Sequence, residues 1–331
     1  MRKFLSAPLI AAAFLMTFTA APSLAANDTV KVTPIGSHDG EFCRRDRALI
    51  FEDPNGTRIL FDAGRTVRGS GDPRLNPGID VVLLSSVHGD HIGDRIEAAQ
   101  VANPGNCNTA IDITPTTPDS NTAEIVAGTG AMVFSGGEMR DFLRAKVADA
   151  GGSASQIDVL RPGGTRVFND VEIAVVMAIH SNGVDRSFLT VPLKNDLAAD
   201  GLTAYVGPDH GYIIKFTNGL VVYMTADTGQ TSDMKLIVHD FYKPQLAVVN
   251  MGGIFSMGPK EAAFAVNNLI KPKSVIASHA NQATTIGGVV QGGTKTAEFI
   301  GLVDAKISVH VPLSNVTLEF NGQGKCVAVT C

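Results

Sequence analysis

A chain of 331 residues with 44% hydrophobic residues can bury one large layered core. Its 27 Lys and Arg against 32 Asp and Glu leave a formal charge of −5 without any basic block, which argues against nucleic-acid or anionic-membrane binding. Beyond the first residues no segment approaches about 18 consecutive apolar residues, so no membrane-spanning helix is expected.

The N-terminus opens with basic Met1-Arg2-Lys3, continues through a largely apolar stretch at 4–16 and reaches the small-x-small pattern Ser23-Leu24-Ala25. Residues 1–25 therefore read as a secretory signal peptide, cleaved after Ala25 or Ala26. This implies a periplasmic or secreted protein whose mature part, 26–331, is a single domain with 25 basic and 32 acidic residues, a charge of −7. β-like runs follow at 48–52, 58–62, 81–85, 171–179, 212–217, 220–225, 246–250 and 273–278, with turn residues between them. Helical patterns occupy 138–150, 234–242 and 259–269, the last with Pro259 in its first turn. Strands alternating with helices indicate an α/β protein whose helices cover sheets. Residues 103–122, rich in Pro, Gly, Asn and Thr, read as an irregular insertion.

The chemistry concentrates where the apolar run Val81-Val82-Leu83-Leu84 breaks into Ser85-Ser86-Val87-His88-Gly89-Asp90-His91. Two imidazoles and a carboxylate in four residues supply nitrogen and oxygen donors for zinc or a related divalent ion, and a loop leaving a buried strand can aim all three at one point. Other donors share that address at strand ends. His180 ends the run 171–179, Asp227 ends 220–226, and His279 ends 274–278.

With these residues in view, the chain resembles the metallo-β-lactamase superfamily, and within it the branch of L-ascorbate-6-phosphate lactonase and related metal-dependent hydrolases. The segments carrying the resemblance are Ile35-Gly36-Ser37-His38, Ile59-Leu60-Phe61-Asp62-Ala63-Gly64, Ala226-Asp227-Thr228-Gly229 and Asn250-Met251-Gly252-Gly253 through Gly258-Pro259-Lys260-Glu261. The resemblance implies a four-layer αβ/βα sandwich. It implies that Asp90, His91, Asp227 and His279 hold one metal and His88 and His180 another, with Asp227 bridging and Asp62 behind the metal loop. It further implies a hydrolase, here exported on the signal-peptide reading, that cleaves a small ester, lactone or phosphoester with a metal-bound hydroxide, with Asp90 as a catalytic residue. The expected cofactor is Zn2+, one or two ions, with Mn2+ or Fe2+ as alternatives, and the expected partner is a small-molecule substrate. A homo-oligomer stays open.

One position departs from the family's His-x-His-x-Asp-His pattern, because Ser86 stands at its first histidine. A neutral hydroxyl is a poor zinc ligand. The expectation is one tight metal, with the second weak, absent, or completed by water and Ser86. The competing reading is a degenerate family member that binds metal or a ligand without turnover. His210, beside Asp209, is a candidate to meet substrate or donate a proton. Cys43, Cys107, Cys326 and Cys331 suggest disulfides in an exported chain; of three pairings, Cys43–Cys107 with the local Cys326–Cys331 is preferred. No Gly-x-Ser-x-Gly elbow or P-loop occurs.

Overall fold

The structure, a computed structural model, describes residues 28–98, 106–109, 111–116 and 120–331. The expected signal peptide, 1–25, lies outside the described residues.

Two seven-stranded sheets organise the chain. The first runs in the order Leu318–Phe320, Val30–Pro34, Leu49–Glu52, Arg58–Phe61, Val81–Leu83, Met132–Ser135, Ile157–Val159. The second runs Ser308–His310, Ser274–Ser278, Leu246–Asn250, Val221–Met224, Asp209–Lys215, Val171–Ala178, Thr165–Phe168. Each is half antiparallel and half parallel. The parallel strands are reached through helical crossovers, and this mixture puts helices on the outer faces.

Alternation along the strands sorts side chains into three apolar layers. Leu49, Phe51, Ile59, Phe61, Val81 and Leu83 face Ile173, Val175, Val222, Met224, Leu246 and Val248 of the other sheet. The intervening Ile50, Leu60 and Val82 point outward, onto helix Asn121–Thr129 and onto Met139, Leu143 and Val147 of helix Gly137–Asp149. Those last three recur every fourth residue and so form one helical face. On the opposite side Ala174, Tyr223, Ala247 and Val249 pack under Met234, Val238, Ala262, Val266 and Phe299. Helix, sheet, sheet, helix is the four-layer αβ/βα sandwich expected.

Several local expectations change. The second-sheet strand expected from 212 begins at Asp209 and pairs there with Ala178. The helix from Pro259 is α-helical to Phe264, then widens to i→i+5 winding over Ala265–Ile270; Met234–Tyr242 is wound the same way. Within the supposed irregular insertion, Asp112–Pro115 pairs with Arg95–Ala98, and Ser120 caps helix Asn121–Thr129 through its side chain. Residues 103–105, 110 and 117–119 of that insertion lie outside the described residues. Cys43 joins Cys107 and Cys326 joins Cys331, with Cα separations of 5.3 and 5.9 Å.

Candidate metal centre

The donors sit where strands of both sheets stop. After Val81–Leu83 the chain makes a single helical turn, Gly89–Ile92, with His88 at its N-cap and Gly93 closing it in the left-handed region at φ 78°. A Cβ at Gly93 would collide with the Gly64 carbonyl oxygen, so that turn requires glycine. Three non-glycine residues are held in the same region around the site, Asp62 at φ 43°, Ala226 at φ 56° and His279 at φ 49°. Left-handed backbone costs such residues about 1–2 kcal/mol each, and here it turns Asp62, Asp227 and His279 off their strand ends toward one another.

Asp227 is the hub. Its Oδ2 lies 3.1 Å from His91 Nε2, 3.5 Å from His279 Nε2 and 3.9 Å from His180 Nε2, while its Oδ1 accepts a 2.6 Å bond from Asn250 Nδ2. Donor atoms of Asp90, His91 and His279 all fall within 4.8 Å of one another. The His88 and His180 rings meet edge to face with centroids 5.0 Å apart. Behind the ligands, Asp62 accepts from Ser85 N at 2.8 Å and from Ser85 Oγ at 2.7 Å, and lies 2.8 Å from His91 Nδ1. That contact places a His91 proton on Nδ1 and leaves Nε2, hydrogen-bonded to Asp227 here, as the nitrogen a metal would take.

Charge balance follows from this packing. Burial opposes the charged form of Asp227, but His279, His91 and Arg47 outweigh it and hold the carboxyl well below the ordinary range. Asp90 is lowered in the same way, against burial, chiefly by Arg47 and His91. Burial also disfavours a charged His91, yet Asp62, Asp227 and Asp90 raise it well above the usual imidazole range. His88 is lowered by burial and by His91 and His180, so it is neutral and has a lone pair to give.

These donors fit a divalent cation. Two ionised carboxylates and four imidazoles converge from separate strand ends, with three Nε2 atoms within 3.9 Å of one carboxylate oxygen, a donor set and spacing that a divalent cation can share. Arg47, whose side chain is 2% exposed, touches the Asp90 carboxylate and donates from Nη1 to His279 Nε2 at 2.7 Å. The His279 lone pair that accepts this bond is the one a metal would use. Its Nδ1, by contrast, is buried without a partner.

The site opens into a cavity of about 550 Å³ whose floor includes His88, Asp90, His180, Asp227 and His279. Arg44, Arg45 and Lys295 stand on its walls, and Ile254 and Phe255 line it while 95% and 71% exposed. The structure thus brings together His88, Asp90, His91, His180, Asp227 and His279. Ser86 is buried beside them, its Oγ accepting from His88 N at 3.1 Å and lying 3.4 Å from Asn182 Oδ1.

His210 does not take the place expected of it. It is 1% exposed, does not line the cavity, presses on Gly136 and meets the Tyr212 ring edge-on; alternation along Asp209–Lys215 turns it inward with Tyr212. Burial lowers its pKa to about 4, so it is a neutral core histidine. Sequence reasoning missed Arg47, a single arginine before a strand with no motif around it, and passed over Asp209 as the neighbour of His210.

A family profile described as "Beta-lactamase superfamily domain" matches residues 57–280. A metal-dependent hydrolase of Cupriavidus necator is 30% identical over 244 residues, 71% of this chain and 71% of that protein. A metal-dependent hydrolase of Agrobacterium fabrum is 27% identical over 291 residues, 88% of this chain and all of that one. Among solved structures, Igni18, a metallo hydrolase from Ignicoccus hospitalis, superposes with a TM-score of 0.55 at 23% identity, covering 88% of this chain and 100% of its own. The metallo-β-lactamase fold protein YhfI of Bacillus subtilis gives 0.54 at 15% identity over the same 88% and 100%.

Proposed function

The chain belongs to the metallo-β-lactamase superfamily, and from that premise we propose that it is a metal-dependent hydrolase acting on a small anionic ester, lactone or phosphoester. The observation that carries the reading is Asp227 Oδ2 facing the Nε2 atoms of His91, His279 and His180 on the floor of a cavity walled by cations. Asp90, His91, Asp227 and His279 would hold one ion, and His88 and His180 with Asp227 a second. A bound divalent cation supplies activation of water and polarisation of the bond being cleaved.

The rest of the work falls to side chains. Arg44, Arg45 and Lys295 attract a negatively charged substrate and orient its anionic group away from Asp90 and Asp227. Arg45 is already paired with Glu97 at 3.0 Å, which fixes its direction. Ile254 and Phe255 give an apolar wall that excludes water from a bound substrate. Asp90, kept ionised and 29% exposed in its side chain, accepts a hydrogen bond from the attacking water and so directs it. Asp62 keeps the tautomer of His91, and Asn250 keeps the orientation of Asp227.

The L-ascorbate-6-phosphate lactonase-like branch is our placement within the superfamily, supported by Ala226-Asp227-Thr228-Gly229 and Asn250-Met251-Gly252-Gly253. Zinc is the favoured ion on the histidine-rich donor set. Export is supported by the signal-peptide pattern at 1–25, with 26–331 as the mature domain.

The test is a hydrolysis panel on zinc- and manganese-loaded protein with bis(p-nitrophenyl) phosphate, p-nitrophenyl acetate and an anionic lactone. Turnover favouring the anionic members, reduced at least about 100-fold in D227N, is expected. Metal retention without turnover of any member would favour the binding-only alternative that the serine at position 86 suggests.

A further inference from the structure

Asp209 is the one carboxylate among the described residues with both oxygens buried and neither in a hydrogen bond. Leaving such a group unpartnered costs several kcal/mol, so its retention calls for a partner. Its address is specific. Cross-strand pairing sets Asp209 opposite Ala178, two residues before His180. The next backbone N–H, of His210, donates to Ser85 O at 2.9 Å and ties the start of this strand to the loop carrying Ser86 and His88. The Asp209 carboxylate faces the Ser86 hydroxyl, with His91, Asp227 and Asp62 near enough to act on its charge. It thus borders the volume that an imidazole at position 86 would fill.

We propose that Asp209 supplies the donor missing at position 86: its carboxylate joins His88, His180 and Asp227 to hold the second metal ion, and Ser86 orients it through its hydroxyl. This rests on the reading of Asp227 and its histidines as a metal centre. Exchanging an imidazole for a carboxylate makes the second position harder, so it should accept Mn2+ or Fe2+ more readily than the histidine version would.

The experiment counts ions. Metal-stripped full-length protein is loaded with MnCl2 or ZnCl2, desalted and measured by elemental mass spectrometry, and the manganese form is examined by electron paramagnetic resonance. Expected are two ions per chain and a spin-coupled pair in the wild type, one ion and an uncoupled signal in D209N, and recovery of the second zinc in S86H/D209N. Because D209N is isosteric and exchanges the carboxyl for a polar group of the same size without a charge, its melting temperature in chelator should not fall by more than a few degrees. The recovered double variant guards against reading misfolding as ligand loss. Two ions in both wild type and D209N would overturn the role of Asp209 and leave the hydrolase reading intact, as would one ion in both. A wild type that binds neither metal would overturn the metal centre itself.

Discussion

Replacing Asp62 with Asn tests whether a residue that touches no substrate sets the metal affinity. Asp62 is 1% exposed, accepts from Ser85 N and Ser85 Oγ at 2.8 and 2.7 Å, and meets His91 Nδ1 at 2.8 Å. Asn tolerates the left-handed backbone at position 62, so the substitution changes chemistry without adding backbone strain. A carboxamide has one acceptor oxygen for these contacts. If its oxygen stays with Ser85, its NH2 faces His91 Nδ1, which must then accept and carry its proton on Nε2, the atom aimed at Asp227 Oδ2. If its oxygen turns to His91, the Ser85 N–H is left buried against a second donor. Either arrangement forfeits a hydrogen bond to a charged group, worth about 1.5–3 kcal/mol. Since about 1.4 kcal/mol is tenfold, that corresponds to roughly 10–100-fold weaker binding, the range found when partners behind metal ligands are removed. Competition titration of metal-stripped protein against a chromogenic zinc chelator reads the change directly. A D62N protein with unaltered circular dichroism and an affinity within about twofold of wild type would refute the proposed positioning of His91.

Arg47 should matter more without metal than with it. Removing one partner of a buried ion pair costs about 3–5 kcal/mol, and because the Asp90 side chain is 29% exposed the lower end applies to R47M. The melting temperature should fall clearly in chelator and much less with zinc, whose charge replaces the guanidinium; equal losses in both conditions would contradict this. His210 should make the metal-free protein acid-sensitive. Its folded pKa, about 4, lies below the ordinary 6.5, so its contribution is present above 6.5 and is lost as pH falls toward 4. At 1.36 kcal/mol per unit the loss is about 3 kcal/mol, which H210Q should abolish. Urea denaturation of both proteins in chelator at pH 4.5 and pH 7 measures it, and identical pH slopes would show that His210 is not the responsible group.

The opening of the second-sheet strand and the turn at 88–91 mark the border between what sequence reveals and what it leaves out. Apolar runs at 81–85, 171–179 and 246–250 read as strands because buried parallel and central strands are apolar on both faces. Val30–Pro34 and Ile157–Val159 were illegible because Lys31, Thr33 and Asp158 interrupt their apolar residues, and such segments owe their conformation to the neighbours they pair with. Histidine and aspartate at strand ends were visible as a metal constellation, since donor type and placement after an apolar run are local properties. By itself the sequence determined the layered α/β class, the ligand candidates and the irregularity at Ser86. Tertiary structure alone decided that His210 turns into the core beside Tyr212 while the adjacent Asp209 carboxylate is buried without a partner, because strand alternation sends neighbours to opposite faces and only the pairing register says which face is which. It also decided that Arg47 lies against Asp90 and His279, residues 43 and 232 positions away, because close packing brings charges together with no trace in their sequence spacing.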